Sequence, residues 1–336
     1  MSTRASSKNS KSKGRGKGGF ERLYARWRRQ SLARRVETGA AATLAALLVL
    51  ALVITGLAFL SYQARVSVVR HGQEESNDLY GFNPGLIISD QRFFDTTSMN
   101  ADDVQAFLDK KGATCTAQTT RSSQPCLKSY KVDVPSKPAD DLCDEYQGGK
   151  AQSAATIIDG AARSCRISQK VLLTMLQKEQ HLVSATAPTP LQYKAAMGLS
   201  CPDDADCDPA YAGFFNQVYG AAHRYRYYQA HMDEYQFKPG RINSVRYSPK
   251  ASCGASDVYI ENDATALLYI YTPYQPNQAA LKAGVGEGDA CSAYGNRNFS
   301  VIYQNWFDPP KQSTPSASPK PKPVLREAGR FYRRGR

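Results

Sequence analysis

The amino-acid sequence predicts a mainly α domain with minor β, stapled by disulfides and preceded by one membrane-spanning helix. Three observations predict it. Apolar residues recur at helical spacing in several segments separated by long loops rich in Pro, Gly and Ser. All eight cysteines follow a single uncharged apolar run, and none precedes it. That run, "TGAAATLAALLVLALVITGLAFLSYQA" from Thr38 to Ala64, is long enough to cross a bilayer.

In chain order, residues 1–38 form a basic leader with no core-forming pattern, expected to be disordered on the cytoplasmic side. Residues 39–64 are the anchor. A cleaved signal peptide fits less well, because the apolar core is too long, the leader too extended, and Tyr62 stands where cleavage needs a small residue. Residues 65–82 are polar and read as a stalk, and 83–308 form the extracellular domain. Within it "SMNADDVQAFLDKKG" reads as a helix with Asn100 as N-cap, Val104, Phe107 and Leu108 inward, and Gly112 as the stop. Residues 113–148 read as a stapled loop. "AQSAATIIDGAARSC" is a helix with a small-residue face, and Ser168 should cap the helix that follows. "AYAGFFNQVYGAAHRYRYYQAHM" carries Phe214, Val218, Ala221 and Tyr225 at i, i+4, i+7 and i+11. "DVYI" reads as a short strand, and "NDATALLYIYTPYQPN" and "FSVIYQNWF" as two last helices. Residues 309–336, rich in Pro, Lys and Arg, read as an extended disordered tail.

The net charge of +13 is not spread along the chain. The leader holds twelve Lys or Arg against Glu21 and Glu37, for +10; the tail from Lys311 holds eight against Glu327, for +7; the remainder sums to −4. A basic face for nucleic acid is therefore not indicated, and the leader fits positive-inside topology with contact to anionic lipid. An even number of cysteines outside the membrane implies disulfides, of which only the close pair Cys201 and Cys207 can be assigned from spacing. No C-x-x-C pair and no histidine pair at ligand spacing occurs, so no metal and no cofactor is expected. "GVGEGD" at 284–289 has no Lys and reads as a turn.

One residue stands out. In "KVLLTMLQKEQHLV", residues 170–183, the helical wheel puts Val171, Leu172, Met175, Leu176, Leu182 and Val183 on one face with Glu179 at its centre, and Lys178, Gln177 and Thr174 on the other side. A carboxylate there must be paired, protonated or facing a cleft. Tyrosine is heavily used after residue 190, as suits sugar stacking or a half-buried core.

The order of "ISQKVLLTMLQKEQ", "AMGL" and "NQVYGAAHRY" resembles the soluble lytic transglycosylase and goose-type lysozyme pattern. The longer set "NPGLIISDQRFFDTTSM", "GLSCPD", "GFFNQVYGAA", "YIYTPYQPN" and "IYQNWF" resembles Gram-positive anchored or secreted proteins often labelled haemagglutinin-like. The first resemblance implies a lysozyme-like fold with Glu179 as catalytic acid, Met197, Gly198, Leu199 and Gln217 lining the cleft, and cleavage of the β-1,4 bond of peptidoglycan. Tyr271 and Tyr274 are added as candidate stacking residues. Ser200 to Asp203 departs from that pattern, and Asp203 is the candidate second carboxylate that would make the enzyme a hydrolase; without one, the sugar's own hydroxyl attacks and leaves an anhydro product. A carboxyl in an apolar cleft has its pKa raised toward about 6 and can protonate the leaving oxygen, and a Gln there should leave stability unchanged or higher. The rival functions are a non-catalytic glycan-binding or adhesion module and an envelope scaffold.

Overall fold

The computed structural model describes residues 18–120, 122–201 and 207–308, and divides into two compact units, residues 1–67 and 68–336. The first unit holds α1 (Gly18–Arg28) and most of α2 (Leu32–Tyr80). The apolar run lies within α2, with a mean hydropathy of 2.6 in its most apolar window and no residue of that window buried. Leu52, Leu57 and Leu60 are all more than half exposed, which in water would leave a long apolar surface bare. At about 1.5 Å per residue the run spans roughly 40 Å, more than the bilayer's hydrocarbon core. One N-terminal apolar helix together with disulfides further on describes a single-pass membrane or secreted protein.

The expected stalk is instead helical to Tyr80, and from Val68 it belongs to the second unit. The reason is one amide. Gln73 is buried, and its side chain pairs with the backbone of Tyr259 as a neighbouring strand would, accepting from Tyr259 N at 2.7 Å and donating to its carbonyl at 3.2 Å. Gly85 makes room: a Cβ there would fall 2.0 Å from Gln73 Nε2.

After α3 (Asp90–Phe93), α4 (Ala101–Lys111) starts on the expected cap, with Asn100 and Asp103 forming a reciprocal capping box and Gly112 at the C-cap. Strands β1 (Lys131–Val134) and β2 (Gly149–Ser153) form an antiparallel pair, β1 where a loop was expected and β2 over the first residues of the expected helix, which starts only at Ala154. α5 (Ala154–Cys165) then buries Ala154, Ala155, Ile157, Ile158, Ala161 and Ala162, a small-residue face that lets α8 approach closely. α6 (Gln169–Gln180) packs between α5 and α11 and is buried almost all round from Val171 to Gln177. The polar side that the helical wheel assigned to Thr174 and Gln177 is therefore inside. Thr174 donates to the Lys170 carbonyl at 2.8 Å, and Gln177 donates to Ser184 Oγ at 2.8 Å. Ser168 occupies the N-cap of α6 without bonding it; its hydroxyl lies 3.5 Å from that of Ser98.

α7 (Pro190–Lys194) opens on a Thr189–Gln192 capping box, and α8 (Phe214–Ala230) is the expected long helix. β3 (Arg241–Arg246) and β4 (Ala255–Ile260) make a regular antiparallel hairpin, followed by α9 (Asp263–Tyr271) capped by Asn262, α10 (Gln278–Lys282) and α11 (Gly295–Phe307). "GVGEGD" lies in the turn after α10, as expected. The cysteines pair as 115–126, 143–165, 201–207 and 253–291. The mainly α, disulfide-stapled class is thus what the structure shows. The core includes Tyr225, which meets Phe93 edge to face at 5.2 Å and stacks on Tyr271 at 5.1 Å.

Candidate functional site

Glu179 stands in the last turn of α6, where the helix dipole disfavours an anion by about 0.3–1 kcal/mol. A residue that breaks a local rule needs a tertiary reason. The first reason is Lys178. Its ammonium pairs with Glu179 Oε1 and donates to Thr272 Oγ1 at 3.2 Å, and its side chain is only 5% exposed, against 23% for Glu179. Lys178 was assigned to the polar side of the wheel; in the fold it is buried beside Glu179 and lies 5.9 Å from the centre of the Tyr271 ring. The carboxylate therefore meets an ammonium, where an apolar cleft was expected.

The second reason is the turn after α7. Gln192 donates to the last carbonyl of α6, at Gln180, over 2.7 Å and so brings α7 back to the end of that helix. The chain then turns through Ala195 to Leu199, with Gly198 in the left-handed region at φ +68°. A Cβ on Gly198 would lie 3.3 Å from Glu179 Oε2, so this carboxylate oxygen rests on a bare backbone. Gln217, fully buried on α8, fixes the turn from below: it accepts from Met197 N and Leu199 N, both at 3.0 Å, and donates to the carbonyls of Leu199 and Tyr211, both at 2.8 Å. Tyr271 fixes it from the side, donating to the Met197 carbonyl at 2.6 Å.

This geometry redistributes the expected roles. Glu179, Gly198 and Tyr271 come together as expected. Met197, Leu199 and Gln217 are buried, and Gln217 holds the backbone of the turn. The backbone of Tyr274 makes a bridge with Arg246, and its carbonyl accepts from Asn296 at 3.0 Å. Asp203 lies outside the described residues, while the Cys201–Cys207 bridge beside it is formed. Lys178, Thr272 and Tyr225 were not foreseen. Tyr225 is fully buried and donates to Met175 Sδ at 3.4 Å; burial pushes its phenol well above the usual range, and the Tyr271 and Glu179 charges push it further. Burial, then the Glu179 charge, likewise raises Tyr271. Both phenols are therefore neutral donors.

Among the described residues, one group could hold a metal ion: Asp140, Cys143 and His223. The Cys143 sulfur is bonded to Cys165, so no thiolate is present to bind one, and an Asp–His pair at 2.9 Å remains.

Gly198→Ala tests the seat of the carboxylate. The positive φ costs about 1 kcal/mol for any L side chain. The methyl also displaces Oε2, so any reaction at Glu179 should slow by about tenfold or more while the melting temperature drops only slightly. Equal rates for the variant and the wild type would remove Gly198 from the site.

Residues 86–320 match a family model described as LasA, N-terminal domain, whereas no curated protein and no solved structure matches the chain. The family thus shown differs from the lysozyme-like one that the motif order resembled. The match covers more than half of the sequence and contains Glu179, Gly198, Gln217 and Tyr271, and the chain belongs to the LasA N-terminal domain family.

Proposed function

We propose that the second unit acts on cell-wall glycan outside the membrane, with Glu179 as its acid and base. The observation that carries this reading is the division of labour between the two oxygens of Glu179: Oε1 is held by Lys178, and Oε2, in a side chain 23% exposed, lies over Gly198, which has no side chain to cover it. A glycosidic oxygen placed there is within reach of a proton on Oε2, and the same carboxylate can then take the proton of the attacking hydroxyl. Lys178 orients the group, and the neutral phenol of Tyr271 keeps the turn in place. The match to the N-terminal domain of LasA, a staphylolytic peptidase, supports a secreted protein that acts on the cell wall.

Purified sacculi incubated with the full chain in detergent should release glycan fragments. Mass spectrometry then separates three outcomes: a reducing end means hydrolysis, a product lighter by one water means attack by the sugar's own hydroxyl, and cut peptide cross-links with intact glycan would replace this reading by a peptidase. The second reading is a glycan-binding module without turnover, which the Lys178–Glu179 ion pair favours because the carboxylate is already engaged. That reading predicts binding to sacculi with no fragments.

The twelve basic residues before Thr38 favour an N-terminus in the cytoplasm, with the leader on anionic lipid. A reporter fused before Thr38 should therefore be cytoplasmic and one fused after Pro310 external. A C-terminal reporter that resists protease in intact cells would reverse this topology.

A further inference from the structure

A second concavity lies along the outer side of α8, with a volume of about 490 Å³, and the site around Glu179 does not use it. Its walls are the rings of Tyr211, Tyr219 and Tyr227, and its polar groups include Asn216, Arg224 and the Asp140–His223 pair. Arg224 is held over two of those rings, 5.8 Å from the centre of Tyr211 and 6.0 Å from that of Tyr227, and Nη2 donates to the Tyr211 phenol at 3.1 Å. Among the described residues it has no carboxylate partner. A guanidinium fixed in place by aromatic faces, with most of its donors uncommitted, is suited to a planar anion. Asp140 does not compete for it: Oδ1 accepts from Leu142 N and Cys143 N at 2.9 and 2.8 Å, and Oδ2 is paired with His223.

The concavity also adjoins the turn that carries Gly198. Gly220 lies on its floor, and a Cβ there would fall 2.7 Å from Leu199 Cδ2, so α8 and the turn touch directly beneath it. The Tyr271 phenol, raised first by burial and then by the Glu179 charge, is lowered by the charge of Arg224.

We propose that this concavity binds a carboxylate-bearing amino sugar of the glycan strand, with the sugar face on the tyrosine walls and the carboxylate on Arg224. The proposal rests on the wall-glycan reading and adds a preference to it. In peptidoglycan the muramic carboxylate is free only where the stem peptide has been removed, because attachment of the peptide turns it into an amide. The reaction that supplies this substrate is therefore amide hydrolysis, and the site selects peptide-free glycan.

The test uses the full chain in detergent micelles carrying Glu179→Gln, so that no turnover intervenes. Three saccharides are titrated calorimetrically: a peptide-free tetrasaccharide of alternating N-acetylglucosamine and N-acetylmuramic acid, the same molecule with its carboxylates amidated, and neutral chitotetraose. The acid form should bind about tenfold tighter than the other two, the difference made by a charge-assisted hydrogen bond, and adding Arg224→Gln should erase that gap, so that all three saccharides bind alike. Equal affinities for all three saccharides, or a gap that survives Arg224→Gln, would overturn the proposal. If the acid form is preferred while wild-type protein releases nothing from sacculi, the binding site stands and the cleavage reading fails.

Discussion

Replacing Glu179 by Gln should lower the release of glycan fragments by about a hundredfold or more, because the amide keeps the shape of the group and cannot deliver a proton. Stability should fall as well, against the expectation from sequence that a neutral side chain would leave it unchanged or higher. The structure reverses that sign through Lys178, whose side chain is 5% exposed. Without the carboxylate, its ammonium keeps only Thr272 Oγ1 and the face of Tyr271. Breaking a fully buried pair costs about 3–5 kcal/mol, and the partial exposure of Glu179 lowers this to about 1–3 kcal/mol, or a few degrees in melting temperature. The double variant Lys178→Met, Glu179→Gln should recover the stability and none of the activity. A Glu179→Gln protein that still releases fragments at the wild-type rate would end the acid–base reading.

Gln217→Leu should produce the largest loss of stability. The side chain is fully buried and satisfies two backbone N–H groups and two carbonyls across Met197, Leu199 and Tyr211. Leucine matches its size and bonds to none of them. Each orphaned buried group costs about 1–3 kcal/mol before relaxation, so a total near 3–6 kcal/mol and a melting temperature lower by about 10 °C are expected. Surviving folded protein should also be slow, because the turn under Glu179 Oε2 has lost its anchor. A shift of less than about 2 °C in a circular-dichroism melt would mean that Gln217 does not hold the turn.

The elements legible in the sequence are those decided by local terms. α4 could be read from Asn100 and Gly112, α9 from Asn262, and α5 and α8 from their repeating apolar and small residues, because caps and helical periodicity act within a few residues of chain. β1 and β2 could not be read. "KVDV" alternates exposed and covered residues over only four positions, "GKAQS" shows no alternation at all, and the two pair across a loop in which Lys137 and Tyr146 form a further bridge. The stalk failed for a related reason: the polarity of Gln73 looks like a preference for solvent until the backbone of Tyr259 supplies its partner.

The site divides along the same line. The sequence by itself determined that an acid interrupts the apolar face of α6, that a Gly-containing turn follows, that one apolar helix precedes every cysteine, and that the cysteines pair as disulfides. Only the tertiary structure decided that Lys178 pairs with its neighbour, since adjacent residues on a helix do not face one another and the pairing depends on Thr272 and Tyr271 arriving from α9. It also decided that Gln217 bonds the backbone of the turn, and which of the remaining six cysteines meet. Each of these depends on groups far apart in the chain, where hydrogen-bond satisfaction and packing are settled between elements and leave no period to read.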